Sequence, residues 1–256
     1  KAVTLAKSKV ADVEFSAEDA SRSDVDFLAK VFTKVIKAGA TVLNIPDTVG
    51  YSTPEEFATF VRAVMERTTG IEKVKISVHC HNDLGMATAN SLAAVQAGFK
   101  GVSVTVGGLG ERAGNASLEE VAVALKYSLN QEVQLDLKRL NSLCLMVSLA
   151  TDRKIPRAKP IIGEDAFTHT SSIHIDGIQK DFANYQTYPP ECVGREHTTS
   201  FGKYSGRKTI LRLLKAKGIE LDQETIDELL IQILHQTHKL KRPLEEEDIM
   251  GIVVTC

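Results

Sequence analysis

Tryptophan is absent from this chain, and phenylalanine and tyrosine are scarce, aromatic residues making up only 5% of it. No basic run stands out, and the formal net charge is -2. The stacking surface and positive field of a nucleic-acid binder are therefore missing, and no nucleic-acid partner is expected. No stretch of 18 or more apolar residues occurs, so a membrane-spanning helix is not expected either. The four cysteines, Cys80, Cys144, Cys192 and Cys256, are far apart and form no CxxC pair. That spacing excludes a zinc-finger or dithiol redox reading and suits a reducing compartment; with no signal peptide, a cytoplasmic location is expected. What remains is a 256-residue chain, 43% hydrophobic and 25% charged, long enough for one sizeable core or two modest ones. It begins at Lys1 rather than methionine, which leaves room for a truncated or excised amino terminus.

The first half alternates short apolar runs with amphipathic ones. Strands are expected over 10–15, 41–45, 73–78 and 102–106, and helices over 25–36, from Pro54, over 87–97 and over 117–125. Thr53-Pro54-Glu55-Glu56 is a strong helix start, with a capping threonine, proline at the first position and glutamate at the third. Four βα units of about 30 residues imply parallel strands covered by helices. Periodicity leaves two architectures open, a small doubly wound sheet or half of an eight-stranded barrel.

After Leu129 the pattern changes. One more amphipathic helix spans 137–150, and 152–160 is a basic, proline-flanked connector. We therefore divide the chain into residues 1–150 and 151–256. In the second part, 161–188 reads as irregular and rich in His, Asp and Gly, followed by helices over 208–217 and 223–240 joined through Gly218.

The stretch richest in chemistry is Ser77-Val78-His79-Cys80-His81-Asn82-Asp83-Leu84-Gly85. Side chains alternate along a strand, so His79 and His81 share one face while Cys80 points away. A lone histidine reads as a core residue, but two at this spacing at the carboxyl end of a strand read as a chelating pair, where α/β folds bind ligands. Imidazole mixed with oxygen ligands suits Mg2+, Mn2+ or Zn2+. Glu18 and Thr48 follow two other strand ends, on the same rim if the strands are parallel; taken alone, they read as a helix cap and a turn residue. Gly107-Gly108-Leu109-Gly110 lacks the GK[ST] of a phosphate loop and reads as close packing at a strand end.

Several motifs resemble the 2-isopropylmalate synthase and homocitrate synthase family. They are Phe15-Ser16-Ala17-Glu18-Asp19-Ala20-Ser21-Arg22, Asn44-Ile45-Pro46-Asp47-Thr48-Val49-Gly50, His79-Cys80-His81-Asn82-Asp83-Leu84-Gly85 and Gly108-Leu109-Gly110-Glu111-Arg112-Ala113-Gly114-Asn115. The likeness continues in Gly163-Glu164-Asp165-Ala166-Phe167-Thr168-His169, Ile173-His174-Ile175-Asp176-Gly177 and Gly202-Lys203-Tyr204-Ser205-Gly206. It implies an α/β fold, strands five to eight of a (β/α)8 barrel followed by a small, mostly helical post-barrel region. It also implies Claisen-type condensation of acetyl-CoA, as co-substrate, with a 2-oxo acid, helped by a divalent metal. The family's first strand, with its Arg-Asp pair and a metal-ligating Asp, has no counterpart here, so a separate chain carrying the first barrel half is a possible partner.

By resemblance, His79, His81 and Asn115 are metal ligands. Ser16 and Thr48 bind substrate, and Glu18 is a catalytic acid. His174 is the base assisted by Tyr185, both delivered into a neighbouring subunit's barrel, which implies a homodimer with a swapped post-barrel region. Where the family usually has Ser-Gly-Ile-His, this chain has Ser171-Ser172-Ile173-His174. His169, His197, His235 and His238 read as structural or surface residues.

Within the family, the expected product is homocitrate, from 2-oxoglutarate. The wording Phe167-Thr168-His169 favours the nitrogen-fixation type, as does the absence of a long domain after Cys256, and Glu14 stands where the lysine-pathway enzymes have an arginine. The alternatives are 2-isopropylmalate synthase, acting on 2-oxoisovalerate, and a citramalate-type synthase. Two readings from other classes are a half-enzyme subunit inactive without its complement, and a lyase or aldolase of the wider barrel superfamily.

Overall fold

The computed structural model describes residues 1–169, 171–181, 183–202 and 205–254, with the side chains of 172 and 179 set aside. Lys203 and Tyr204 of the 202–206 motif, and Cys256, lie outside the described residues. The chain forms two compact units, one of residues 1–135 and 143–152, the other of residues 136–142 and 153–256.

In the first unit, α1 (Ala2–Lys7) precedes four βα repeats: β1 (Glu14–Ser16), α2 (Val25–Lys37), β2 (Val42–Asp47), α3 (Pro54–Arg67), β3 (Lys75–Cys80), α4 (Ala87–Gln96), β4 (Gly101–Ser103) and α5 (Leu118–Tyr127). The strands pair in parallel in the order β1-β2-β3-β4, and this is half of a (β/α)8 barrel. The caps explain where helices begin. Asp24 accepts from the Phe27 amide, and Thr53 and Glu56 make the reciprocal capping box. Register settles which face each strand residue occupies. Leu43, Ile45, Val78 and Cys80 are fully buried against Phe32, Phe57, Val61 and Ala94 in one apolar cluster. Ser16, Asn44 and Ser77 are in register on the other face, as are Pro46, His79 and Ser103 one step higher.

All four strands differ from their sequence-based expectation, β3 by running over Lys75–Cys80 rather than 73–78, with a 3-10 turn at Ile71–Lys73 before it. Val10 is 54% exposed and β1 starts only at Glu14, because 10–12 has no neighbouring strand to pair with. β2 runs past Ile45 through Pro46 to Asp47, whose carbonyl accepts from the His81 amide. β4 ends at Ser103, and a short 3-10 turn at Val106–Gly108 replaces its expected end, with Gly107 and Gly108 at positive φ.

A 3-10 turn at Leu137–Arg139 leads into α6 (Leu140–Thr151), whose residues 143–151 belong to the first unit; in the second unit, β5 (Thr168–His169) and β6 (Thr198–Thr199) form a two-stranded parallel ribbon. The stretch over 161–188, expected to be irregular, contains α7 (Ser172–Lys180). Among the described residues, Ile175 and Ile178 mark its buried face, and Gly177 interrupts the pattern, so the sequence signal is faint. Ser172 opens this helix, in a right-handed turn that serine adopts freely. α8 (Arg207–Ala216), α9 (Gln223–Leu240) and α10 (Glu246–Val253) pack Ile210, Leu229, Ile233, Leu244 and Ile249 into a second core. Among the described residues, no helix is long and apolar enough to cross a membrane.

Candidate active site

A polar chain crosses the barrel-facing side of the sheet. Ser16 Oγ donates to Asn44 Oδ1 (3.1 Å), and Asn44 Nδ2 donates to Ser77 Oγ (2.8 Å). Barrel interiors are usually filled by Val, Ile and Leu, so a hydrogen-bonded layer here marks a face built to meet polar matter. One step above it stand the histidines. Their rings meet edge to face at 4.9 Å between centroids. His79 Nδ1 is 3.1 Å from Ser103 Oγ, its register partner on β4, which fixes the ring and leaves its other nitrogen free to act. His81 follows β3 and forms an antiparallel bridge with Asn115. Asn115 is buried, and its Nδ2 donates to the Leu109 carbonyl at 3.2 Å, which directs the amide.

Two buried polar atoms here, His81 Nδ1 and Asn115 Oδ1, have no hydrogen-bond partner among the described residues. A buried polar atom without a partner is costly and calls for a ligand. Burial lowers the pKa of His79, as does the neighbouring His81, against the opposing pull of Ser103 and the Glu18 carboxylate. A neutral imidazole is the form that ligates metal. Among the described residues, no group of three His, Cys, Asp or Glu side chains is placed to hold a metal ion. The donor set is instead two imidazoles and an amide oxygen, which suits a borderline divalent cation that takes its remaining ligands from elsewhere.

The rim loops are tied together by Asp83, Arg112 and Asp47, which lie outside the set of predicted site residues. Arg112 makes a fork to Asp83 (2.6 and 2.9 Å) and donates to the Thr48 carbonyl (2.7 Å), joining the loops after β2, β3 and β4. The hydrogen bond from Arg112 holds the Asp83 carboxyl below its ordinary range. Asp47, fully buried, accepts from Ser21 Oγ (2.8 Å), Ser52 (3.3 Å) and Asn90 Nδ2 (3.3 Å). Thr48 Oγ1 accepts from the Asp19 amide (3.0 Å), and Glu18 is exposed on the same rim. Cys80 points the other way, and burial pushes its thiol up to about 12, which keeps it inert. Ser103 meets His79 only through the register of β4 on β3, and Asp83 and Arg112 are 29 residues apart with no periodic signal linking them.

His174 and Tyr185 belong to the second unit. There they stack, with ring centroids 4.3 Å apart and planes 28° from parallel. His169 lies 6.4 Å from His174 and 6.0 Å from His197 between ring centroids, so one histidine expected to be structural sits beside the one expected to be the base, and a second such histidine neighbours the first. The helix that carries His174 is anchored through Asp176, which accepts from Lys180 (2.7 Å) and from Arg212 of α8 (2.8 Å). Lys180 and then Arg212 hold its carboxyl down at about 2. A depressed acid stabilises the fold above its ordinary value of 3.8, and that contribution fades as pH falls towards about 2. The Asp176→Asn variant is therefore expected to melt below the parent at pH 6 and together with it near pH 2. Equal melting temperatures at pH 6 would show that the anchor is idle.

The HMGL-like family profile matches residues 1–147, and the profile for a homocitrate synthase post-HMGL domain-like region matches residues 161–241. The 2-isopropylmalate synthase of Methylacidiphilum infernorum is 45% identical over 98% of this chain and 50% of its own length. That of Pyrococcus furiosus is also 45% identical, over 99% of the chain and 51% of its own length. The chain thus spans about half the length of the curated relatives it matches. Among solved structures, hydroxymethylglutaryl-CoA lyase from Pseudomonas aeruginosa superposes with a TM-score of 0.53 at 20% identity, covering 60% of this chain and 54% of that one, a likeness of fold alone. With more than half of its residues matched by one family profile and most of the remainder by the domain that follows it, this chain belongs to the HMGL-like family, on its homocitrate and 2-isopropylmalate synthase branch.

Proposed function

We propose that the chain supplies the second barrel half and post-barrel region of an acetyl-CoA:2-oxo acid condensing synthase of the 2-isopropylmalate type. The observation that carries the site is the meeting of His79, His81 and Asn115 on the barrel-facing rim, with two buried polar atoms that lack partners among the described residues. The relatives' names favour 2-oxoisovalerate as the 2-oxo acid, the alternative to the homocitrate reading drawn from Phe167-Thr168-His169 and Glu14. A three-residue wording weighs less than likeness along the whole chain.

In this reading His79, His81 and Asn115 hold a divalent ion, with a further ligand from the first barrel half. The ion supplies Lewis acidity at the 2-oxo carbonyl. Thr48 on the rim, and Ser16 one layer below it with its hydroxyl turned from Asn44, orient the substrate carboxylate. His174, steadied by Tyr185, takes a proton from the methyl group of acetyl-CoA; the methyl carbon then attacks the carbonyl carbon, and the carbonyl oxygen, its π bond broken, takes up a proton to become the product hydroxyl. Glu18 serves as the acid that partners a post-barrel histidine. Thioester hydrolysis then releases the CoA thiol. The sheet edges at β1 and β4 belong against the first four strands, and the second unit acts on the barrel of a partner subunit in a homodimer.

The test is thiol release from acetyl-CoA by this chain, alone and mixed with a polypeptide carrying the first four βα units, in Mg2+, Mn2+ or Zn2+. Turnover with 2-oxoisovalerate in the mixture is expected. Turnover with 2-oxoglutarate instead would restore the homocitrate reading. Release of no thiol with any 2-oxo acid, despite a folded complex, would end the condensing-enzyme proposal.

A further inference from the structure

Gly177 sits inside α7, where glycine is a poor helix former and alanine would serve better. Its surroundings give the reason. A Cβ added there would lie 2.7 Å from Tyr185 Cε2 and 3.1 Å from Cδ2. Gly177 is three residues beyond His174, so both lie on one helix face, and the Tyr185 ring covers that face from one to the other. The Gly177 carbonyl also draws the following loop back, accepting from the Asp181 amide (3.1 Å) and from Asn184 Nδ2 (3.0 Å). Tyr185 itself takes a left-handed backbone, φ 56°, uncommon for a non-glycine residue. Its side chain is not trapped by burial, since Tyr185 is 56% exposed. What keeps the ring on the imidazole is close approach to a helix with no side chain in the way.

We infer that Gly177 is a positioning residue for the His174–Tyr185 pair, its missing side chain being the space that lets the tyrosine ring stack on the imidazole. A methyl group at 177 meets an exposed side-chain ring rather than a backbone, so the consequence is an unstacked tyrosine on an intact helix. The catalytic meaning of this placement rests on the proposed role of His174; the placement itself does not.

The test uses the 256-residue chain, with its histidines and tyrosines isotopically labelled for NMR. In the parent, the His174 ring protons carry a ring-current shift that is absent from the Tyr185→Leu variant. Gly177→Ala is expected to lose that shift while keeping its helical circular dichroism. It should also lower the melting temperature of the parent but raise that of Tyr185→Leu, since alanine is the better helix former once the ring is gone. An unchanged His174 shift in Gly177→Ala, or the same change in melting temperature in both backgrounds, would overturn the inference. In a preparation active in thiol release, Gly177→Ala should lower kcat roughly tenfold, within the usual worth of a placed base, with KM for the 2-oxo acid unchanged. Loss of the shift with kcat intact would leave Gly177's role standing and overturn the reading of His174 as the base.

Discussion

Replacing His81 by alanine is expected to weaken binding of Zn2+ or Mn2+ to this chain by about 100-fold or more, since losing even an outer-shell partner of a metal ligand costs 10- to 100-fold. The imidazole stands on a loop fixed from two sides. Its amide donates to the Asp47 carbonyl (3.2 Å), and the next amide, of Asn82, donates to the Gly114 carbonyl (2.8 Å). Alanine keeps both backbone bonds, so the fold should survive and the change should fall on the metal. Ser103→Ala, which removes only the hydroxyl beside His79 Nδ1, is expected to cost about tenfold by the same reasoning. Titration calorimetry on the parent and both variants gives the comparison. Equal affinity in the parent and His81→Ala would show that the buried nitrogen is not a ligand and that the site assignment is wrong.

How much of this site could be read from the residues depends on the range of the interaction. The histidine pair was legible because a strand has a period of two, and the burial of Cys80 on the opposite face follows from the same parity. The start of α3 was legible because capping is a four-residue affair. What stayed hidden is what register and loop closure decide. Ser103 faces His79 only because β4 pairs where it does, and Arg112 reaches Asp83 and Thr48 across three loops. In the second unit, α7 was masked by Gly177, whose place in a helix makes sense only with the Tyr185 ring beside it. α10 is eight residues long behind a run of acids, and its burial of Ile249 and Ile252 is too short a pattern to read as a helix.

Gly114→Ala is expected to destabilise the first unit by about 2–5 kcal/mol and to weaken metal binding with it, whereas Gly85→Ala should cost only about 1–2 kcal/mol. Both glycines have positive φ, 91° and 76°, so both variants pay the left-handed penalty of a Cβ. Among the described residues, nothing lies within 4 Å of a Cβ added at Gly85, and its cost stops there. At Gly114 the new methyl would lie 2.0 Å from the Gly108 carbonyl oxygen, a backbone atom that no rotamer change can move. That same oxygen accepts from the Asn115 amide at 3.0 Å, and the Gly114 carbonyl accepts from Asn82. Relief of the overlap must therefore shift the strap that presents Asn115 to His81. Urea denaturation of the two variants measures the difference in stability, and calorimetry with Zn2+ measures its consequence at the site. If the two glycine variants match in both, the close fold of the 108–115 loop is not what sets Asn115 in place.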